Sequence, residues 1–240
     1  MGRAFEVRKA AMAKTSAVKA KIYSRYGKEI YIAAKNGIAD IDMNVTLKRV
    51  VDKAKANQVP ADVIKRAIDK AKGGAVESYD EVRYEGFGPS GSTFIVECLT
   101  DNGNRTYTEV RNCFTKSKFN IGVKGSVAHL YDHLGILSFK ANDEEKILDI
   151  LISADVDVKD LEVEDDIMNI YVSPIELYKA KEALEEELGE IQFDVLEISM
   201  LPQGYVELAN DEEYQQFERF MSMIDQIDDV QQVYHNVNVK

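Results

Sequence analysis

Residues 136–200 have the sequence ILSFKANDEEKILDILISADVDVKDLEVEDDIMNIYVSPIELYKAKEALEEELGEIQFDVLEISM. Two segments with helical spacing of apolar residues alternate in it with short apolar or β-branched runs, which are typical of strands. These runs lie at 136–140, around 161–163, around 168–172 and at 191–198. The predicted order is therefore β-α-β-β-α-β, the order of a ferredoxin-like unit.

Strand-like segments also lie on both sides of this unit. Residues 82–85 and 93–99 are predicted strands joined by GFGPSG at 86–91, and the tail from Tyr205 predicts a strand, a helix and a final strand. The joining segment formally matches the G-x-G-x-x-G motif. Because Pro89 lies inside it and a strand follows it, we interpret it as a loop and not as a nucleotide site.

Neither flanking region is a complete α/β fold by itself, because residues 82–131 lack a closing helix and strand. The tail supplies both. We therefore expect a discontinuous α/β domain, residues 79–133 plus 203–240, with the ferredoxin-like unit, residues 134–202, inserted in it.

Residues 1–78 are predicted to form a basic helical domain with a flexible N-terminal arm. Apolar residues recur there three times at helical spacing, in the sets Ile22, Tyr26, Ile30 and Ala33; Leu47, Val50, Val51 and Ala54; and Ile64, Ala67, Ile68 and Ala71. The expected fold class is α+β multidomain: an N-terminal three-helix domain plus two α/β domains, one of them ferredoxin-like and inserted in the other.

Charge is divided unevenly along the chain. The 240 residues carry a formal net charge of −12, which taken alone argues against a nucleic-acid partner. Residues 1–75 nevertheless carry a net charge of +10, and residues 131–240 carry −21. A basic third in an acidic chain favours electrostatic binding of phosphates, with solvated Lys-rich helix faces as the alternative interpretation.

The candidate nucleic-acid-binding residues are cations of this basic third, which we expect to contact phosphates. They are Arg8, Lys9, Lys14, Lys19, Lys21, Arg25, Lys48, Arg49, Lys65, Arg66, Lys70 and Lys72. Three tyrosines interleaved with them, Tyr23, Tyr26 and Tyr31, either stack on bases or belong to the core or its rim.

A second group of polar and basic residues follows the strand at 93–99. A capping-box pattern at Thr106 and Glu109 predicts a helix start there. Such an N-terminus either holds a phosphate or an RNA sugar edge or is a plain helix cap. The candidate contacts for nucleic acid or another partner are Asn104, Arg105, Arg111, Lys116, Lys118 and Lys124.

Catalytic and metal-binding patterns are weak. His129 and His133 have the i, i+4 spacing of a helical metal pair, but the glutamate of H-E-x-x-H is missing. Cys98 and Cys113 form no C-x-x-C motif and are expected to be buried reduced thiols. Because these patterns are weak, we expect a non-enzymatic protein without cofactor, metal or small-molecule substrate.

No apolar run approaches roughly 20 residues and no secretory signal is present. We therefore expect a cytoplasmic protein that does not bind a membrane.

Four sequence strings resemble the YebC/PmpR family. They are VPADVIKRAIDKAKGG (59–74), RYEGFGPSG (83–91), ECLTDNGNRTYTEVRNCF (97–114) and IGVKGSVAHLYDHLG (121–135). The opening MGR and the string IYSRYGKEIYIAAKNG (22–37) are most similar to the shorter YeeN-type branch. The resemblance implies three domains, with the third inserted into the second. It also implies a DNA-binding transcriptional regulator, or a ribosome-associated translation factor, without established catalytic residues or cofactor.

The chain departs from the family pattern at two places. Residues 3–7, RAFEV, replace a start of the H-S-K-W-A-N-I type, and Lys118-Phe119 stand where many members have Gly-Gly. The first change removes a tryptophan, and the second alters a loop.

The sequence supports three hypotheses of function. The first is a non-enzymatic regulator of gene expression that binds duplex DNA through the basic helical domain and its arm. The second is a translation activator whose cations bind ribosomal RNA, with residues 105–124 and the 86–91 loop reaching a functional centre of the ribosome. The third is an interaction scaffold whose acidic domains bind basic proteins.

Overall fold

The computed structural model describes residues 19–73 and 78–239; for residues 19 and 20 it describes the backbone alone. Its helices and strands, in chain order, are α1 Lys19–Lys35, α2 Val45–Ala56, α3 Ala61–Lys72, β1 Asp80–Phe87, β2 Thr93–Thr100, α4 Gly103–Lys116, β3 Asn120–Ile121, β4 Tyr131–Lys140, α5 Glu144–Ser153, β5 Val158–Glu164, β6 Ile167–Val172, α6 Leu177–Leu188, β7 Phe193–Pro202, α7 Asp211–Asp225 and β8 Val230–His235. Within the described chain, no helix is both long and apolar enough to cross a membrane.

The described chain forms two compact units, of which one comprises residues 130–203 and the other holds everything else. The predicted α+β multidomain fold, with a helical N-terminal part and an inserted ferredoxin-like part, is confirmed. The limits of the three domains at 1–78, 79–133 plus 203–240, and 134–202 remain a proposal based on the sequence.

The three N-terminal helices pack through the apolar stripes that the sequence predicts. On α3 all four predicted residues are buried, and on α2 Leu47, Val51 and Ala54 are buried. Asn44 fixes the connection before α2, because its Oδ1 accepts from the Leu47 N–H (3.0 Å) and its Nδ2 donates to the carbonyls of Ala33 and Ile38 (2.9 Å each). The helical part therefore has its own small core.

The α/β part that follows is built on an antiparallel sheet with the strand order β3-β1-β2-β8. Its core lies between the sheet and the helices α4 and α7. There the ring of Phe220 lies 4.7 to 5.1 Å from the rings of Phe94, Phe114 and Phe119. Because β8 comes from the end of the chain and pairs with β2, residues on both sides of the insertion complete one sheet.

The inserted part, residues 130–203, has a second antiparallel sheet with the order β5-β6-β4-β7. The helices α5 and α6 cover one face of it and share a core with the sheet. This strand order and the element order β-α-β-β-α-β together define a ferredoxin-like fold.

Several predicted boundaries were wrong. The strand β4 begins at Tyr131 and β7 ends at Pro202, because the two pair along their whole length from that end, including polar positions that interrupt the apolar pattern. The predicted strand at Tyr205 is only an isolated parallel bridge between Val206 and Val237.

The predicted start of α4 at Thr106 was also wrong. The helix begins at Gly103, and Asn102 is its N-cap, accepting from the Arg105 N–H at 3.1 Å. Thr106 lies in the first turn, where its buried hydroxyl donates to Asp229 at 2.7 Å. The Thr106 hydroxyl, which the sequence pattern predicts to cap the helix, therefore makes a tertiary contact with Asp229.

Candidate nucleic-acid interface

The cations of α1 face the end of α7. Lys21 Nζ and Arg25 Nη2 lie 2.8 and 3.2 Å from Asp225 Oδ1, and Arg25 Nε donates to the carbonyl of Val230 at 3.0 Å. Lys28 Nζ donates to Asp229 Oδ1 at 2.8 Å. The three cations are spaced i, i+4 and i+7, so they lie on one helix face. We call this set of contacts the ionic joint.

Two cations that the sequence predicts to contact phosphates, Lys21 and Arg25, belong to the ionic joint. The side chains of Lys21 and Arg25 are only 10% and 21% exposed. Burial lowers the pKa of both groups more than Asp225 raises it. Their charges therefore hold the helical part against the α/β part.

Asp229 is the centre of the ionic joint. In addition to Lys28, it accepts hydrogen bonds from Arg105 Nη2 (2.6 Å), Thr106 Oγ1 (2.7 Å) and Thr100 Oγ1 (3.1 Å), and it is 4% exposed. Burial by itself raises the pKa of Asp229, but hydrogen bonds from Arg105, Lys28 and Thr106 outweigh it, so the pKa lies well below its usual value. Two cations thus neutralise one buried carboxylate. The sequence gives no signal that singles out this residue.

A cleft of about 610 Å³ opens beside the ionic joint. One face of α4 lines it, and the remaining walls come from α1, Tyr79 and the end of α7. The lining residues of α4 and of the turn before it are Asp101, Arg105, Glu109, Asn112, Cys113 and Lys116. Five of the eighteen residues of the family-like string 97–114 therefore line a polar cleft. Of the predicted contacts that fall within the described residues, Arg105 and Lys116 line it, and Arg105 is also bound to Asp101 at 2.8 Å.

The cations of α2 and α3 have a different environment. Lys48, Lys65, Arg66 and Lys72 are exposed, whereas Arg49 is half-buried. Arg66 forms an exposed i, i+4 pair with an aspartate of its own helix. The exposed Lys70 Nζ lies 5.6 Å from the centre of the Tyr31 ring. Arg8, Lys9 and Lys14 lie outside the described residues, as does the side chain of Lys19.

The tyrosines of α1 belong to the helical core. Tyr31 is 3% exposed, and its ring packs edge-on against Tyr79 with centroids 5.9 Å apart. Tyr23 and Tyr26 are half-buried against the same core. Of the two interpretations of Tyr31, the structure therefore favours packing over stacking on bases.

The second group of predicted contacts is exposed but spread over two elements. Asn104, Arg111 and Lys116 lie on α4, while Lys118 and Lys124 lie in the loops around β3. Lys118 has a φ of 61°, in the left-handed region that favours glycine, which is the residue many family members have there. The sequence resemblance thus identified Lys118 as a position whose backbone conformation favours glycine.

Glu85 anchors the loop that carries Lys124. Its buried carboxylate accepts from the backbone N–H groups of Gly125 (2.7 Å), Val127 (2.5 Å) and Ala128 (2.9 Å). Burial raises the pKa of Glu85, but these three hydrogen bonds lower it by more. The loop is therefore wrapped around an internal anion.

The cysteines and histidines occupy unrelated positions. Cys98 and Cys113 are both buried, as expected, and burial raises the pKa of Cys98 to about 12. His129 lies in a short 3-10 turn and His133 in β4, so the helix that their i, i+4 spacing assumes does not form.

Known proteins resemble the chain over its whole length. The family models "TACO1/YebC protein N-terminal domain" and "TACO1/YebC second and third domain" match residues 3–74 and 79–237. Proteins of Vibrio vulnificus and Vibrio cholerae, each named "probable transcriptional regulatory protein", are 52% and 51% identical over 100% of both chains. One of Alteromonas mediterranea with the same description is 53% identical over 98% of both.

One solved structure has the same fold. It is the crystal structure of a conserved hypothetical protein from Aquifex aeolicus, with a TM-score of 0.75, 32% sequence identity, and coverage of 95% of this chain and 93% of that one. The chain belongs to the TACO1/YebC family.

Proposed function

We propose that this protein is a transcriptional regulator that binds duplex DNA through the exposed cations of α2 and α3, together with the basic N-terminal arm. The relatives carry the name "probable transcriptional regulatory protein", which supports a regulatory role. The observation that carries the proposal is the division of the cations into two sets. Lys21, Arg25 and Lys28 of α1 are held by carboxylates of the α/β part, whereas Lys48, Lys65 and Lys72 are exposed.

The proposed contacts act through charge. Each lysine that neutralises a phosphate releases condensed counterions, so the affinity falls as salt rises. This mode needs no fixed base contacts and gives binding that tolerates many sequences. The net charge of −21 in residues 131–240 keeps that part of the chain away from phosphates and thereby orients the protein.

The test compares two double variants that remove equal charge. Lys48→Ala with Lys65→Ala removes two proposed contacts, and Lys140→Ala with Lys146→Ala removes two exposed lysines of residues 130–203. Binding to a labelled promoter fragment is measured by fluorescence anisotropy between 50 and 200 mM salt. The first variant is expected to reduce the slope of log K against log salt by about 1.8, at about 0.9 per phosphate contact, and the second to leave it unchanged. Equal slopes for both variants would refute the proposal.

A ribosomal RNA target is the second candidate, and the loop with Lys124 favours it. Three backbone bonds to Glu85 hold this loop, so its lysine sits on a preorganised surface outside the helical part. Sedimentation of a lysate on a sucrose gradient separates the candidates. Co-migration with ribosomes at moderate salt that Lys124→Ala weakens supports the RNA target, and protein remaining at the top of the gradient contradicts it.

A further inference from the structure

We propose that the inserted unit, residues 130–203, carries a docking surface for a basic amphipathic protein segment. The surface consists of Leu148, Ile152 and Ile175, which we call the apolar trio. This inference does not rest on the proposed binding of nucleic acid, because the surface lies on a unit whose charge repels phosphates.

All three side chains of the apolar trio are exposed. Leu148 is 39% exposed, Ile152 is 62% exposed and Ile175 is 89% exposed. Leu148 and Ile152 are spaced i, i+4 on α5 and lie outside the stripe of Ile147 and Leu151 that faces the core. Folding of the unit therefore leaves this second apolar row of α5 uncovered.

Contacts between the end of α5 and the start of α6 bring the third member to the same end of the helical layer. The backbone N–H of Asp157 donates to Glu176 Oε2 at 3.1 Å. Lys179 donates to the carbonyl of Asp155 and lies 3.9 Å from Glu176 Oε1. Since Ile152 precedes Asp155 by three residues and Ile175 adjoins Glu176, these bonds place Ile152 and Ile175 at the same end of the helical layer. Leu148 lies one turn before Ile152 on α5.

Charge determines which kind of partner fits. Residues 130–203 carry a net charge of −15. Three of their lysines already pair with acidic neighbours: Lys159 with Asp157, Lys179 with Asp155 and Glu176, and Lys181 with Glu185. On the exposed face of α5, Glu145 and Asp149 alternate with Leu148 and Ile152. Apolar anchors framed by carboxylates complement a segment that has aliphatic side chains framed by Lys or Arg.

The test uses the full-length protein and a labelled 15-residue Leu/Lys peptide with an amphipathic helical pattern. A Gly/Lys peptide of equal charge is the probe for charge alone. The variant Ile152→Ser with Ile175→Ser removes apolar surface without changing charge, and Val123→Ser, at a site 77% exposed in the other unit, is the matched control. Fluorescence anisotropy is expected to show an affinity at least about tenfold weaker for the double variant and unchanged for the control.

Three results overturn the inference. One is absence of Leu/Lys peptide binding by the unaltered protein, and another is equal affinity for the Gly/Lys peptide. The third is a concentration-dependent dimer, seen by analytical ultracentrifugation, that the double variant abolishes, because it assigns the apolar trio to a second copy of the chain. Duplex DNA binding by the double variant is measured in parallel and is expected to equal that of the unaltered protein, so that this inference and the proposed function fail separately.

Discussion

Replacing Asp229 by Asn tests the ionic joint directly. The substitution keeps the shape of the side chain but removes the charge that binds Lys28 and Arg105. It also leaves amide hydrogens pointing at donors. Breaking a buried charge pair costs about 3–5 kcal/mol, and a hydrogen bond to a charged group contributes about 1.5–3 kcal/mol. Arg105 is 44% exposed and regains water, so we expect a loss of about 2–4 kcal/mol in the free energy of unfolding.

The neighbouring Asp228→Asn is the matched control. Asp228 is exposed, and Lys28 donates to its backbone carbonyl, so its side chain is expected to contribute less than about 0.5 kcal/mol. Urea unfolding of the full chain at pH 7, followed by circular dichroism, measures both variants. Equal losses in the two variants would show that the ionic joint does not stabilise the protein.

The pH dependence gives a second measure of the same carboxylate. Because the pKa of folded Asp229 lies below its unfolded value, its stabilisation is present above about pH 4 and is lost as the pH falls further. The Asp229→Asn variant lacks this contribution, so its stability is expected to fall less steeply in acid than that of the unaltered protein. Parallel curves for the two proteins below pH 4 would contradict the assignment.

Three further predictions concern single residues. Lys118→Gly is expected to raise the free energy of unfolding by about 0.5–1 kcal/mol, since φ is 61° there. Arg111→Gly, inside α4, is expected to lower it by a similar amount in the same urea titration. The His235 ring lies 5.0 Å from the Phe217 ring, and burial lowers the pKa of His235 to about 4. Because the unfolded chain binds the proton more readily, the free energy of unfolding is expected to fall by up to about 3 kcal/mol between about pH 6.5 and 4. NMR titration of the His235 ring measures the pKa, and a value near 6.5 would refute this prediction. Asn44→Ala removes a helix cap and two loop bonds and is expected to cost about 1–2 kcal/mol by thermal or urea unfolding.

Local patterns predicted most of the fold. The stripe on α3 was found because burial repeats every three or four residues, and the family-like strings identified the family whose models match residues 3–74 and 79–237. The start of α4 was missed because Asn102 and Thr106 are both capping residue types, and only the contact of Thr106 with Asp229 decides between them. A local sequence pattern cannot predict that contact, because the two residues lie 123 positions apart in the sequence.

The candidate site was harder to predict for the same reason. In the sequence, Lys21 and Arg25 are indistinguishable from Lys48 and Lys65: all four are cations beside an apolar stripe. What separates them is Asp225, which lies 204 and 200 positions further along the chain from the first two. Charge counts of the basic third therefore overstate the surface open to a polyanion.

This division predicts opposite phenotypes for substitutions that remove the same charge. Lys21→Ala with Arg25→Ala is expected to lower the free energy of unfolding by about 1–2 kcal/mol, because the pair partner Asp225 is half exposed, and to leave the salt dependence of DNA binding by the folded protein unchanged. Lys48→Ala with Lys65→Ala is expected to change the salt dependence and leave stability within about 0.5 kcal/mol. If the α1 variant instead reduced the salt slope by about 1.8, Lys21 and Arg25 would leave Asp225 for phosphates, and the ionic joint would open on binding.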